Sequence, residues 1–201
     1  MKRIINSILD NDLYKLTMQN AVIKLFPNKI VRYEFIDRNK LSYPENFAEK
    51  LREQVELMAS LKLTKGEKKF LLEKAEFLPP TYVDFLAGYQ YDPNEVKIFF
   101  DRENRLHITI EGYWYRTILW EITLMSLISE LYFIETGQDV DLSMFNAQDI
   151  GKCDLLASHN AYYADFGTRR RYSFANQDRI VGLFKENGGH NFVGTSNVYL
   201  A

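Results

Sequence analysis

The sequence predicts an α/β protein, built from an N-terminal α+β unit followed by the start of a parallel α/β barrel or doubly wound sheet. Three observations predict it. Helical and strand patterns are mixed in the first part of the chain, a long apolar segment runs from Thr117 to Ile134, and short strands and helices then alternate. Because the pattern changes near Tyr113, we predict an N-terminal domain at 1–114 and an incomplete barrel domain at 115–201.

The first unit opens with a helix and a strand. Apolar residues at helical spacing predict a helix from Leu13 to Phe26, with Asn11 or Asp12 available as its N-cap. Apolar and charged residues then alternate over Ile30 to Asp37, which is the period of a half-buried strand.

Further helices and a hairpin complete this unit. The chain is predicted to be helical from Pro44 to Leu78 with a break at Leu63 to Gly66, and two prolines precede a short helix at Thr81 to Leu86. Two strands, Glu95 to Phe100 and Arg105 to Glu111, are separated by a polar turn. We therefore expect an antiparallel or mixed sheet that is covered by helices.

The second unit begins with the apolar segment. Glu121 and Glu130 interrupt it, so we predict a buried helix rather than a membrane span. Both carboxylates then need partners in the fold, and a structural ion pair is the better expectation for Glu121.

Strands and helices alternate after this segment. Strands are predicted at Tyr162 to Phe166 and Phe192 to Val193, and helices at Phe174 to Glu186 and from Asn197 onward. This is the rhythm of a parallel barrel or a doubly wound sheet. A barrel that begins so late does not close in the residues present, so we expect the chain to be part of a longer polypeptide.

Composition excludes several classes of function. A formal net charge of −2 provides no global basic field for nucleic acid or for an anionic membrane. Cys153 is the only cysteine, which excludes an intrachain disulfide and favours a reduced, cytoplasmic setting. The three histidines, His107, His159 and His190, lack metal-ligand spacing, so no metal ligand is predicted.

Two short segments are candidates for ligand binding. Asp165 to Arg171 places three arginines after a predicted strand, and a guanidinium group binds phosphate with two parallel hydrogen bonds. Gly194 to Asn197 follows the next strand with small hydroxyl residues. The alternatives are a solvated basic turn for the first segment, a plain N-cap for the second, and a packing role for Tyr14 beside them.

Four blocks in the chain together resemble the nicotinate phosphoribosyltransferase family. In chain order they read DNDLYKLTMQ, EGYWYRTILWEI, DFGTRRRYS and FVGTSNVYLA. The resemblance implies the two-domain fold of type II phosphoribosyltransferases, in which an N-terminal domain is followed by an irregular α/β barrel. It also implies a homodimer with active sites at the subunit interface. This sequence departs from the family at Asp165, where many members carry a glutamate.

The resemblance also implies roles for individual residues. Phe166 and Tyr14 match two aromatics that hold the pyridine ring between them, with the tyrosine supplied by the neighbouring subunit. Arg169 matches a phosphate-binding arginine, which we predict to be the catalytic residue. Ser196 faces the pyridine substituent, and a serine there favours nicotinate over nicotinamide because an aspartate would repel a carboxylate. The predicted substrate-binding residues are Tyr14, Phe166, Gly167, Thr168, Arg169, Thr195 and Ser196.

The implied reaction joins nicotinate to phosphoribosyl pyrophosphate, releasing pyrophosphate, with ATP hydrolysis and with Mg²⁺ on the phosphates. It is the first step of NAD salvage from nicotinate. The histidine that accepts a phosphoryl group in the family matches none of the three in this chain, so the chain alone is expected to be inactive. Two alternatives stay open: another pyridine phosphoribosyltransferase, acting on nicotinamide or quinolinate, and a non-catalytic dimerisation or regulatory module.

Overall fold

The structure is a computed structural model that describes residues 2–38, 41–138 and 141–201. Its helices are α1 (Leu13–Leu25), α2 (Phe47–Met58), α3 (Lys65–Lys74), α4 (Pro80–Gly88), α5 (Trp114–Thr117), α6 (Trp120–Glu135), α7 (Asn146–Ser158) and α8 (Phe174–Asn187). Its strands are β1 (Ile30–Glu34), β2 (Val96–Phe100), β3 (Leu106–Tyr113), β4 (Tyr163–Asp165) and β5 (Phe192–Thr195). Helix and strand are mixed along the chain, which confirms the predicted α/β class.

The first sheet is antiparallel, with strand order β1-β3-β2. Ile30 lies opposite Tyr113 and Val96 opposite Ile110, so β3 is the central strand. The strand alternates between buried residues, including Leu106 and Ile108, and partly exposed ones, as a sheet with one covered face requires. The predicted hairpin is confirmed, whereas β1 is shorter than predicted.

Helix α6 lies against the core beneath this sheet. Trp120 is fully buried, and its indole N–H donates to the Glu95 carboxylate at 3.1 Å. The helical stretch Trp114–Glu135 is long and apolar enough to cross a membrane, but 67% of its most apolar window is buried inside the protein. That burial agrees with the predicted core helix.

The second sheet pairs β4 with β5 in parallel, and α8 connects them. Tyr163 lies opposite Phe192, and Asp165 opposite Thr195. The predicted parallel strand–helix rhythm is confirmed here. Because the two strands end at the same edge, the segments that follow them, with Phe166 and Ser196, lie close together.

One helix of the second half was not predicted from the sequence. Only Asp149 and Cys153 of α7 are buried, so its apolar stripe is too thin to be recognised. At the end of the chain, the N–H groups of Leu200 and Ala201 both bond to the Asn197 carbonyl, and the bond from Ala201 has the spacing of an α-helical turn.

Candidate functional site: an aromatic pair beside an arginine turn

The start of α1 meets the end of β5. Asp12 and Asn197 form an antiparallel bridge, and the backbone N–H of Leu13 donates to the Ser196 carbonyl at 2.8 Å. Through this contact, the first turn of α1 lies against the carboxyl edge of the parallel sheet.

Tyr14 and Phe166 come together at this edge. Their ring centroids are 5.9 Å apart and their planes differ by 24°, which is a stacked arrangement. Both rings belong to the same chain, and the backbone hydrogen bond from Leu13 to Ser196 brings them together. The expectation that a neighbouring subunit supplies Tyr14 to Phe166 stays a prediction.

The ring pair is spaced too closely to hold a flat ligand as it stands. Aromatic faces pack about 3.5 Å apart, so a ring between two others needs a separation of about 7 Å. A ligand would therefore have to move the rings of Tyr14 and Phe166 further apart than their observed centroid distance of 5.9 Å. Phe166 is 54% exposed, which leaves it room to move.

Three charged groups surround the ring pair. The guanidinium carbon of Arg169 lies 5.7 Å from the Phe166 ring centroid, and Lys15 Nζ lies 5.1 Å from that of Tyr14. Glu121 lies between the two cations, at 2.5 Å from Lys15 and 3.9 Å from Arg169. The ion pair with Lys15 confirms the expected structural partner for Glu121.

These charges act on the Tyr14 phenol. Burial raises the pKa of Tyr14, nearby Glu121 and Asp12 raise it further, and Arg169 opposes them. The phenol therefore stays neutral near pH 7, and its ring offers an uncharged face to a ligand.

A cleft opens beside Arg169. We call it the α6–β1 cleft, and it consists of two adjoining cavities of about 290 and 820 Å³. Residues that line both cavities are Glu34, Phe35, Met125, Ile128, Arg169 and Arg170. Glu121, whose side chain is 33% exposed, also faces the smaller cavity. The cleft thus offers two guanidinium groups above an apolar wall.

The third arginine has a different role. Arg171 has a side chain that is 1% exposed, and it binds the Asp10 carboxylate through two hydrogen bonds of 2.6 and 2.8 Å. Its Nε donates to Glu130 at 2.9 Å, which supplies the partner that Glu130 was expected to need. The expected phosphate binding by the three arginines is therefore wrong for Arg171, because its guanidinium is already paired and buried.

The hydroxyl residues of the two segments serve the fold. Thr168 is fully buried and accepts hydrogen bonds from Gln177 and Asn197. Thr195 donates to Asp165 at 2.7 Å, and the N–H of Gly167 donates to the same carboxylate at 3.1 Å. The predicted substrate contacts of Gly167, Thr168 and Thr195 stay predictions.

Ser196 is engaged with a buried acid. Its hydroxyl donates to Asp12 Oδ1 at 2.7 Å, and Asp12 is fully buried. Asp12 Oδ2 has no hydrogen-bond partner among the described residues. Ser196 therefore has no free proton to offer a substrate carboxylate until its hydroxyl turns away from Asp12.

Family models account for most of the chain. The model described as the nicotinate phosphoribosyltransferase N-terminal domain matches residues 9–129, and the model of the family itself matches residues 162–201. The chain belongs to the nicotinate phosphoribosyltransferase family. The resemblance seen in the four sequence blocks is thereby confirmed.

Similar proteins agree with this membership. A nicotinate phosphoribosyltransferase of Chromohalobacter salexigens is 46% identical over 98% of this chain and 51% of its own length. The crystal structure of nicotinate phosphoribosyltransferase from Porphyromonas gingivalis, 42% identical, superposes with a TM-score of 0.95 over 98% of this chain and 51% of that one. A putative nicotinate phosphoribosyltransferase from Saccharomyces cerevisiae, 32% identical, gives 0.90 over 100% and 52%. The chain spans about half the length of the relatives it matches.

Several charged residues of the candidate site were not predicted from the sequence. Lys15 and Asp10 were given no role and Asp12 only that of a candidate N-cap, yet all three are buried in the structure. A signal was available, because charged residues that flank the first apolar positions of a helix leading into a core need buried partners. Their partners lie more than a hundred residues away, so the sequence did not reveal which they are.

Proposed function

We propose that the protein containing this chain transfers the phosphoribosyl group of phosphoribosyl pyrophosphate to the ring nitrogen of nicotinate. The products are nicotinate mononucleotide and pyrophosphate, and the reaction is the first step of NAD salvage from nicotinate. The observation that carries the proposal is the stacked pair of Tyr14 and Phe166 with the Arg169 guanidinium against it.

The aromatic pair supports the acceptor part of the reaction. Nicotinate is flat, and two ring faces that separate to admit it would fix its plane and its approach to the anomeric carbon. The pyridine nitrogen already carries a lone pair, so the attack needs no general base. This agrees with a site that offers Tyr14 as a neutral phenol.

The arginines support the leaving-group part of the reaction. Arg169 makes no side-chain hydrogen bond within the described part of the chain, since its contact with Glu121 is 3.9 Å, so its donors are available to a phosphate. Arg170 is exposed and lines the same cleft. Two guanidinium groups would neutralise the negative charge that builds on a departing pyrophosphate.

The donor set beside Arg169 fits a magnesium ion that arrives on the substrate. The described residues contain no cluster of three or more groups able to cage a metal. Mg²⁺ commonly keeps its waters and uses one or two carboxylates together with substrate phosphates, and Glu34 and Glu121 both face the cleft, with Glu121 3.9 Å from Arg169. When bound, the ion would offset phosphate charge.

Three further parts of the proposal rest on family membership. ATP hydrolysis would drive synthesis through a phosphorylated histidine. His107 pairs with Asp101, His159 bonds to the Leu155 carbonyl, and the His190 ring contacts Tyr162, so none of them lies at the aromatic pair. A homodimer with shared active sites and a cytoplasmic location are proposed on the same ground.

A nicotinamide-using reaction is the second candidate, and Asp12 is the observation that favours it. Its unpartnered Oδ2 lies on the residue that Ser196 contacts, and a carboxylate oxygen accepts from an amide but repels a carboxylate. For nicotinate to be the substrate, the Ser196 hydroxyl must donate to it and leave Asp12.

Activity assays with the full-length protein decide between these candidates. Nicotinate, nicotinamide and quinolinate would each be supplied with phosphoribosyl pyrophosphate and Mg²⁺, with and without ATP, and the mononucleotide product quantified. We expect turnover with nicotinate, enhanced by ATP. Turnover with nicotinamide alone would replace the first candidate by the second, and no product from any of the three would contradict both.

A further inference from the structure

The segment Gly167 to Arg171, which we call the arginine turn, carries Arg169 between two anchored ends. It follows β4, and its centre is a single 3-10 turn over Thr168–Arg170. A short turn of this kind has few internal hydrogen bonds, so its conformation depends on contacts from outside.

Helix α6 supplies two of those contacts. The Ser126 hydroxyl donates to the Thr168 carbonyl at 2.8 Å, and the Ser129 hydroxyl donates to the Arg171 carbonyl at 2.9 Å. The two serines are three positions apart, so they share one face of the helix. The carbonyls they bind lie on either side of Arg169 and Arg170.

Side chains hold the same two ends of the turn. The Thr168 hydroxyl accepts hydrogen bonds from Gln177 and Asn197, and the buried guanidinium of Arg171 is paired with Asp10. Charge-assisted bonds of this kind are strong where water is excluded. The backbone that carries Arg169 is therefore fixed, while its guanidinium stays free of hydrogen bonds to the described residues.

We infer that Ser126 and Ser129 are positioning residues, which set the place of the Arg169 guanidinium for a phosphate-bearing substrate. The inference rests on the proposed function and extends it to two residues that hold the backbone of the arginine turn. Ser126 is fully buried and does not line the α6–β1 cleft, so it acts through the turn and not by touching a ligand, whereas Ser129 also lines the larger cavity of the cleft. A fixed guanidinium loses little conformational freedom when the anion binds.

The test uses Ser126→Ala in the full-length protein, with inorganic pyrophosphate as the probe in isothermal titration calorimetry. We expect pyrophosphate to bind about tenfold more weakly, because small misplacements of a binding group lower its contribution steeply. Thr123→Val is the matched control. Thr123 is a buried hydroxyl one turn earlier on α6, but it bonds to Tyr91 and Asn11 and not to the arginine turn.

The control separates positioning from general loss of stability. We expect both variants to lower the thermal midpoint, and only Ser126→Ala to weaken pyrophosphate binding. Equal weakening in Thr123→Val, or unchanged binding in Ser126→Ala, would overturn the inference. If Ser126→Ala does not fold, Ser126→Cys, which nearly keeps the shape but offers only a weak donor, takes its place and should also weaken pyrophosphate binding.

Arg169→Ala is the reference that keeps the two proposals apart. If it weakens pyrophosphate binding and Ser126→Ala does not, the positioning role fails and the proposed function stands. If Arg169→Ala leaves pyrophosphate binding unchanged, the proposed anion site itself is wrong, and the positioning role falls with it.

Discussion

Tyr14 and Phe166 are held by different parts of the chain and meet only at their ring faces. Removing either ring should weaken binding of the pyridine substrate by about 1–3 kcal/mol, the range known for a flat base stacked on an aromatic side chain. The change would be measured as a higher KM for nicotinate in Tyr14→Ala and Phe166→Ala. Because Phe166 is half exposed, its loss should leave the thermal midpoint nearly unchanged.

Tyr162→Ala is the control for this comparison. Tyr162 is an aromatic residue just before β4, is 65% exposed, and touches His190 rather than the site. Its removal should leave the KM for nicotinate at the wild-type value. Wild-type KM values in Tyr14→Ala and Phe166→Ala would rule out the aromatic sandwich.

Arg169 and Arg171 are two positions apart in the sequence, but Arg169 lines the cleft whereas Arg171 is buried and paired. Arg169→Ala should weaken phosphoribosyl pyrophosphate binding by about 1.5–3 kcal/mol, the value of a hydrogen bond to a charged group, and should affect nicotinate binding far less. Titration of both ligands measures this. Arg102→Ala, at an exposed arginine in the β2–β3 turn, should change neither affinity. Equal losses for both ligands would indicate a folding defect instead.

The site was predicted unevenly, and the reason lies in sequence distance. Phe166 and Arg169 stand three positions apart after a strand, so local pattern placed them together. Tyr14 joined them only through family resemblance. Asp10 and Arg171 are 161 positions apart, and no local pattern indicates which buried acid binds which arginine.

Two glycines at α8 differ in the space around them: Gly182 lies within the helix and Gly188 is its C-cap. A Cβ at Gly188 would lie 2.4 Å from the Tyr163 hydroxyl and 2.6 Å from Phe192 Cβ, so the helix end would be pushed off the parallel sheet. We expect Gly188→Ala to destabilise the protein by about 1–3 kcal/mol through overpacking. Chemical denaturation measures the free energy of unfolding.

Gly182 lies in the middle of the same helix, and a Cβ there would meet no atom within 4 Å. Gly182→Ala should therefore stabilise the protein by roughly 0.5–1 kcal/mol, because glycine has the larger conformational freedom in the unfolded chain. Destabilisation of similar size in both variants would contradict the steric account.

Elements with a strong local pattern were predicted from sequence, and those defined by their surroundings were not. The β2–β3 hairpin has clean alternation and a polar turn, so both strands were found within a residue or two. Helix α7 buries only Asp149 and Cys153, so its sequence shows too little of an apolar stripe to be recognised.

At the scale of the whole molecule, one buried network ties distant segments together. Asp10 precedes α1, Glu130 lies on α6, Arg171 ends the arginine turn, and Asn197 follows β5, and hydrogen bonds of 2.6 to 2.9 Å connect them. Breaking one member leaves another charge buried without its partner. The two halves of the chain therefore depend on each other through this network.

The network makes stability depend on pH through Glu130. Burial raises the pKa of Glu130 above its ordinary 4.5, although Arg171 opposes the shift. A carboxyl whose pKa is raised by folding contributes stability below its unfolded pKa, and that contribution is lost as pH rises through the folded pKa.

The substitution Glu130→Gln removes this pH-dependent contribution to stability. The free energy of unfolding of the wild type, relative to Glu130→Gln, should therefore fall as pH rises from about 4 towards 7. Denaturation in urea at each pH measures it, with the exposed Glu76→Gln as control. A constant stability difference between the two proteins across this range would contradict the raised pKa of Glu130. A wild type that became more stable relative to Glu130→Gln as pH rises would mean that Arg171 affects the pKa of Glu130 more than burial does.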